Sequence, residues 1–300
     1  MIPEKFNYFW ASYKNLEDKV LEVANYIQFD DKQSTVYSNY IADLLVMTVM
    51  QIESLSKELY RQMNINDDKE LKFDEDCIKF LDDIWEICKK EIFISSNKIY
   101  FDEIKIAPLK NANKKGKNTW KCAYQAVKHD RKKEITKGNI KNLIFAMGAL
   151  YILNLYYKYD CESYMEEKEF DHRLNSEIFA ATVSDITTNT NFLDDESILN
   201  SLKCSLFVLK FKDSIWSEIE NDIKNTDNII REDLLKNDEF KEYIKHHDIH
   251  NESLTELAYK FLGKEYLFTN TSNIVKKVIS GKKVVMINKN KPVVIYGKDN

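Results

Sequence analysis

In 300 residues this chain carries 6 glycines and 3 prolines. Those two residues punctuate turns and end helices. Their scarcity argues for long helices and against a many-stranded sandwich or barrel. The apolar residues agree. Phe6, Phe9, Trp10, Tyr13, Leu16, Val20, Val23 and Ile27 recur at helical spacing and predict a first helix over about residues 4–29. Ile41, Leu45, Thr48, Ile52, Leu55 and Leu59 repeat every three or four positions and predict a second over 35–63. Ile78, Leu81, Ile84, Trp85 and Cys88 predict a third over 74–93. Extended structure is expected at 98–106 and a polar turn region at 111–118.

A fourth helix begins at Trp120, with Gly138 expected to end it in a left-handed conformation and Asn139 to cap the next. That next helix, about 140–159, is apolar nearly all round, which predicts burial inside a bundle or between two copies of it. Its run Leu143–Tyr157 is interrupted by Gly148 and Asn154 and is shorter than the roughly 20 residues of a membrane span, so no membrane partner is expected. After residue 160 the pattern shifts. Short strands are expected at 176–183 and 205–211, helices at 213–223 and 252–262, and a terminal hairpin from 283–288 and 292–296, with Pro292 at a strand start. The fold class expected is mainly α: a helical bundle over 1–160 followed by a smaller α+β region over 161–300.

With 44% hydrophobic and 31% charged residues the composition reads as globular and soluble. Cys77, Cys88, Cys122, Cys161 and Cys204 are odd in number, scattered and without a CxxC pair. Free thiols in a reducing cytoplasm fit that usage better than a disulfide framework or a zinc site. The first residues lack the basic-then-apolar order of a signal peptide, and no glycine loop for a nucleotide phosphate is present, so no cofactor is expected.

Charge is concentrated. The chain is net -5, yet the window from Lys110 to Lys141 holds eleven basic side chains against Asp130 and Glu134, a local +9 that leaves -14 for the remainder. An acidic protein with one basic stripe can attract polyanions locally; a solvated lysine-rich loop is the plain alternative. Within the window, a helix from Trp120 places Trp120, Ala123, Tyr124 and Val127 on an apolar side, Gln125, His129 and Lys132 on the opposite side, and Lys121 and Lys128 on the flank. A histidine among cations has what RNA transesterification asks for: a group that exchanges protons near neutral pH and charges to stabilise the phosphate. Because RNA supplies its own 2′-hydroxyl nucleophile, this chemistry needs no metal. His129, Arg131 and Lys128 are the expected catalytic set, with Lys121, Tyr124, Gln125, Lys132 and Lys133 contacting RNA.

The helix order, the segment Ala123-Tyr-Gln-Ala-Val-Lys-His-Asp-Arg131 and the apolar Asn142-Leu-Ile-Phe-Ala-Met-Gly-Ala-Leu-Tyr-Ile-Leu153 resemble the HEPN domain superfamily over about residues 1–160. The resemblance implies a helical bundle, often a homodimer, and for many members metal-independent endoribonuclease activity in prokaryotic toxin–antitoxin, abortive-infection and other antiphage systems. The implied partners are RNA, including tRNA, a second copy of the chain, and a cognate antitoxin or defence protein. Other members are non-catalytic dimerisation or binding modules. The family motif places an arginine, then four to six residues, then the histidine. His129 matches the histidine, Cys122 to Gln125 hold no arginine, and the nearest arginine is Arg131, after the histidine. A helix unbroken through Arg131 would turn that guanidinium toward the apolar side. Catalysis therefore requires the helix to end there, or a second subunit to complete the site.

Three further groups stand beside this reading. Glu53, on the second helix, is placed to orient His129 across the bundle or is an exposed boundary residue. His246, His247 and His250, with Asp248 and Glu252 nearby, form either a metal-binding helical face or a surface histidine cluster. His172 and Arg173 form another His/Arg pair without clear helical context.

Overall fold

A computed structural model describes residues 8–63, 70–158, 165–166, 175–187, 195–249 and 252–290. The first part is helical: α1 (Tyr8–Ala24), a short strand β1 (Phe29–Asp30) and α2 (Asn39–Met63). A π-helical turn (Phe73–Ile78) runs into α3 (Lys79–Trp85), followed by a 3-10 turn (Ile87–Lys89) and the strands β2 (Ile92–Ile94), β3 (Ile99–Tyr100) and β4 (Lys105–Ile106). Then come α4 (Thr119–His129), α5 (Arg131–Glu134), a 3-10 turn (Ile135–Lys137) and α6 (Ile140–Lys158). Beyond these lie β5 (Met165–Glu166), β6 (Phe179–Ala181), β7 (Val183–Asp185), α7 (Asp195–Cys204), β8 (Phe207–Phe211), α8 (Asp213–Lys236), α9 (Asp238–His246), α10 (Leu254–Phe261), α11 (Lys264–Ser280) and β9 (Lys283–Ile287). The described residues are mostly helical with a smaller strand region, as a mainly α chain should be.

Two compact units result, one from 1–209 with 285–300 and one from 210–284. In the first, α6 is the axis. Every residue from Ala146 to Tyr156 is buried, packed by α2 above all and by α1 and α4. By length and composition α6 could cross a membrane, and 78% of that stretch is buried within the chain. Of the two expectations for it, burial inside a bundle or between two copies, the described residues show the first: no apolar face is left exposed between Ala146 and Tyr156. The capping reading also holds, because Asn139 Oδ1 accepts the Asn142 N–H at 3.0 Å and satisfies one of the helix's free donors.

Gly138 behaves otherwise than expected. Its φ is -76°, not left-handed, and α4 has already ended nine residues earlier, at His129. The glycine is needed for approach: a Cβ there would come within 2.6 Å of the Ala42 Cβ on α2.

The strands fasten the later chain to this core. β6 pairs antiparallel with β2, which pairs antiparallel with β4, and β1 pairs parallel with β3. A third sheet has the order β5-β9-β8-β7, with β7 and β8 parallel. The partner strand anticipated for β9 at 292–296 lies outside the described residues. Glu17 on α1 clasps the segment leading into β6. Its buried carboxylate accepts from Tyr13 Oη and the backbone N–H of Glu177, both at 3.0 Å, and from Ser176 Oγ, and it pairs with Lys14.

The second unit is an antiparallel pair, α8 with α11. The Lys277 ammonium meets Asp222 at 2.6 Å near one end, and Tyr266 donates to Asp233 at 2.6 Å toward the other. α9 and α10 close a small core of Ile230, Leu234, Phe240, Leu257 and Ala258. Ser253 caps α10 through a reciprocal pair with Glu256.

Candidate functional site

The site is built on the two ends of α4. At its start, Asn118 accepts the Lys121 N–H at 3.1 Å and donates to the carbonyls of Pro108 and Lys110, while the buried Trp120 indole donates to Pro108 O at 2.8 Å. These bonds fix the helix against the loop before it. At its far end the helix stops at His129. Asp130 leaves helical geometry at φ -141°, ψ 68°, and its side chain accepts from the Lys133 N–H to start α5. The helix thus ends where the sequence reading required, and Arg131 does not continue the register that would carry it to the apolar side.

His129 is exposed, and its Nε2 lies 3.2 Å from Gln125 Oε1, one helical turn back. Arg131 turns toward the start of α2, where Nη1 meets the Asp43 carboxylate at 2.7 Å and Nη2 donates to Asn39 O at 3.0 Å. Both members of the Arg131–Asp43 pair are solvent-exposed, and such a pair contributes about 0–1 kcal/mol. Asp43 is the site neighbour that the sequence reading misses. Its only signal was a charge on the polar side of the α2 stripe.

Lys128 is exposed and donates to the Tyr124 hydroxyl at 3.1 Å, its ammonium 5.2 Å from that ring's centroid. Tyr124 is itself buried, and its hydroxyl feels the Glu53 charge. Burial pushes the Tyr124 hydroxyl up from its ordinary range. The Lys128 hydrogen bond draws it down, and the Glu53 charge adds to the rise. Glu53 therefore engages Tyr124, and through it Lys128; it makes no hydrogen bond to His129 among the described residues. Tyr124 is a core aromatic with only its hydroxyl engaged at the site's edge, so its ring is not free to stack on a base.

Lys121 likewise belongs to the fold. It is buried, with its ammonium shared among Asp74 at 3.0 Å, Ala112 O at 2.7 Å and Lys114 O at 3.0 Å. All three donors are used, which leaves none for RNA. Lys132 is exposed without a partner among the described residues, and Lys133 lies 3.5 Å from Asp130.

The basic window is thereby split. Lys114, Lys115 and Lys117 are exposed before α4, while Lys128, Arg131, Lys132 and Lys133 are exposed at its end, about 16 Å along an eleven-residue helix. The structure places His129, Gln125, Lys128, Arg131, Lys132 and Lys133 at one end of α4 and buries Lys121 and the Tyr124 ring.

The histidine cluster of the second unit is not a helical face. α9 ends at His246, and His247 is extended. His247 stacks on Tyr243 at 4.1 Å between centroids, and His246 faces Glu242 at 3.3 Å. His250, His172 and Arg173 lie outside the described residues. Among the described residues no group of three or more His, Cys, Asp or Glu side chains is disposed to hold a metal. The chain matches no protein-family model, no curated protein and no solved structure.

Proposed function

We propose that this protein binds RNA, tRNA included, at the C-terminal end of α4 and cleaves it by metal-independent transesterification, in an intracellular defence or toxin role. The observation that carries the reading is the helix break at Asp130, which leaves an exposed histidine at a helix end beside exposed cations. In this reaction the His129 imidazole takes the 2′-hydroxyl proton. The 2′-oxygen attacks phosphorus and the 5′-oxygen leaves, taking a proton from solvent. The products are a 2′,3′-cyclic phosphate and a 5′-hydroxyl. Arg131, released from Asp43, and Lys128 stabilise the charge that develops on the phosphate. Lys132 and Lys133 hold the backbone of the RNA, and Gln125 orients His129.

A second reading is supported by a specific feature: Arg131 is engaged by Asp43 and Asn39, and no arginine precedes His129 on α4. On that reading the same basic end binds RNA or a protein partner without cutting. Expression in a bacterial host separates the two. A ribonuclease arrests growth, and His129→Ala at equal protein level relieves the arrest; a binding module is tolerated in either form.

A further inference from the structure

The chain just past α4 is joined to the start of α2 by a set of short contacts. Arg131 reaches Asp43 at 2.7 Å and the Asn39 carbonyl at 3.0 Å. Farther on, the Ile140 N–H donates to Val36 O at 3.1 Å, the Lys141 N–H donates to Ser34 O at 2.9 Å, and Tyr37 and Asn139 form an antiparallel bridge. Gly138 lets α2 come close, since a Cβ there would lie 2.6 Å from the Ala42 Cβ. Tyr37 and Tyr40 stand on this join. Each is 47% exposed, and among the described residues neither ring stacks on another aromatic and neither hydroxyl is hydrogen-bonded. Tyr40 comes three residues before Asp43 on α2, which puts the two on one face with Cβ atoms about 5–6 Å apart. Arg131 is thus held beside an open tyrosine ring, and the exposed Lys132 and Lys133 follow it in the chain.

We propose that Tyr37 and Tyr40 form the platform on which unpaired bases stack, so that the site takes single-stranded RNA, a loop or an unstructured segment, and not a continuous duplex. This substrate class rests on the RNA reading of the α4 end and adds to it. Cations alone suit any polyanion. An open aromatic ring adds a flat apolar surface, which stacking engages whatever the sequence because every base has a π-face. A base inside a duplex is covered on both faces by its neighbours, so only an unstacked base can use such a surface. Arg131, Lys132 and Lys133 then hold phosphates while the two tyrosines hold the bases between them. The Tyr124 ring, which is buried, has no part in this.

Equilibrium titration of the full chain tests it, with His129→Ala as the parent so that the RNA stays intact. The probes are a labelled single-stranded oligoribonucleotide and the same strand annealed to its complement. The parent is expected to bind the single strand about tenfold more tightly than the duplex. Tyr37→Ala with Tyr40→Ala is expected to weaken single-strand binding about tenfold, to leave duplex binding unchanged, and to keep the salt dependence that the phosphate contacts set. Tyr37→Phe with Tyr40→Phe keeps both rings and is expected to bind as the parent does. Equal affinity of the parent for the two RNA forms, an alanine variant that binds the single strand as the parent does, or a phenylalanine variant as weak as the alanine one would each overturn the platform and leave the α4 end an RNA site. Binding of neither RNA at low salt would overturn the RNA reading itself, and the platform with it.

Discussion

α6 and α11 are nearly equal in length, 19 and 17 residues, yet they meet solvent in opposite ways. α6 buries an unbroken run from Ala146 to Tyr156, whereas α11 buries no residue and holds Phe268, Val275 and Ile279 outward. One helix satisfies its apolar surface inside its own chain. The other leaves a seam unsatisfied. Apolar content alone therefore does not mark an interface. The helix richest in apolar residues is the one with no face to offer, and a helix of ordinary composition carries the exposed stripe.

The contrast can be broken by mutation. Leu150→Ala removes a fully buried side chain from α6 and is expected to lower the stability of the first unit by about 2–5 kcal/mol, measured by urea denaturation. If the loss were under about 0.5 kcal/mol, α6 would not be the close-packed axis described. Glu17→Ala removes the acceptor that holds the 176–178 segment and is expected to cost about 1–3 kcal/mol, with hydrogen exchange accelerated at the Glu177 and Ile178 amides. Unchanged exchange there would mean that β6 holds the segment without the clasp.

The first unit also stores an electrostatic cost. Lys90 is fully buried, donates to Lys203 O and Asn290 Oδ1, both at 2.7 Å, and has its pKa pushed down to about 7 by burial. Between about 7 and the ordinary lysine value the unfolded chain binds the proton and the folded chain does not, so stability rises with pH across that window. From pH 7 to 9 the gain is expected to be about 2 kcal/mol, and Lys90→Met should abolish that increment. An equal gain in the variant would assign the slope to other groups. The smallest effect belongs to the other side of the comparison: Phe268→Ala should change stability by less than about 0.5 kcal/mol. A loss as large as that of Leu150→Ala would make Phe268 a core residue.

Where one side of a helix is buried, the sequence shows it. The α1 and α2 stripes and the burial of α6 follow directly from apolar spacing, and Asn139 signals its own capping role. The third predicted helix, over 74–93, is a π-helical turn running into α3, which stops at Trp85 because Glu86 adopts a left-handed conformation that no glycine announces; a 3-10 turn follows. The helix predicted over 213–223 runs on to Lys236, and α11 is not foreseen at all. Their apolar residues are divided between a shallow inner contact and an outer surface, so neither side forms a dense stripe. At the α4 site the local order was legible: His129 on the polar side and Lys128 beside it. What was not legible were partners distant in sequence. Asp43 takes Arg131, Glu53 takes Tyr124, and Asp74 with two carbonyls takes Lys121. A basic window gives the number of charges; only the fold tells which are already used.

The most direct test of the RNA reading is incubation of purified protein with total RNA and with tRNA in excess EDTA, wild type beside His129→Ala, with the product ends identified. The account predicts fragments bearing 2′,3′-cyclic phosphate from the wild type and none from the variant. Equal cleavage by both proteins, or none by either, would contradict catalysis at His129.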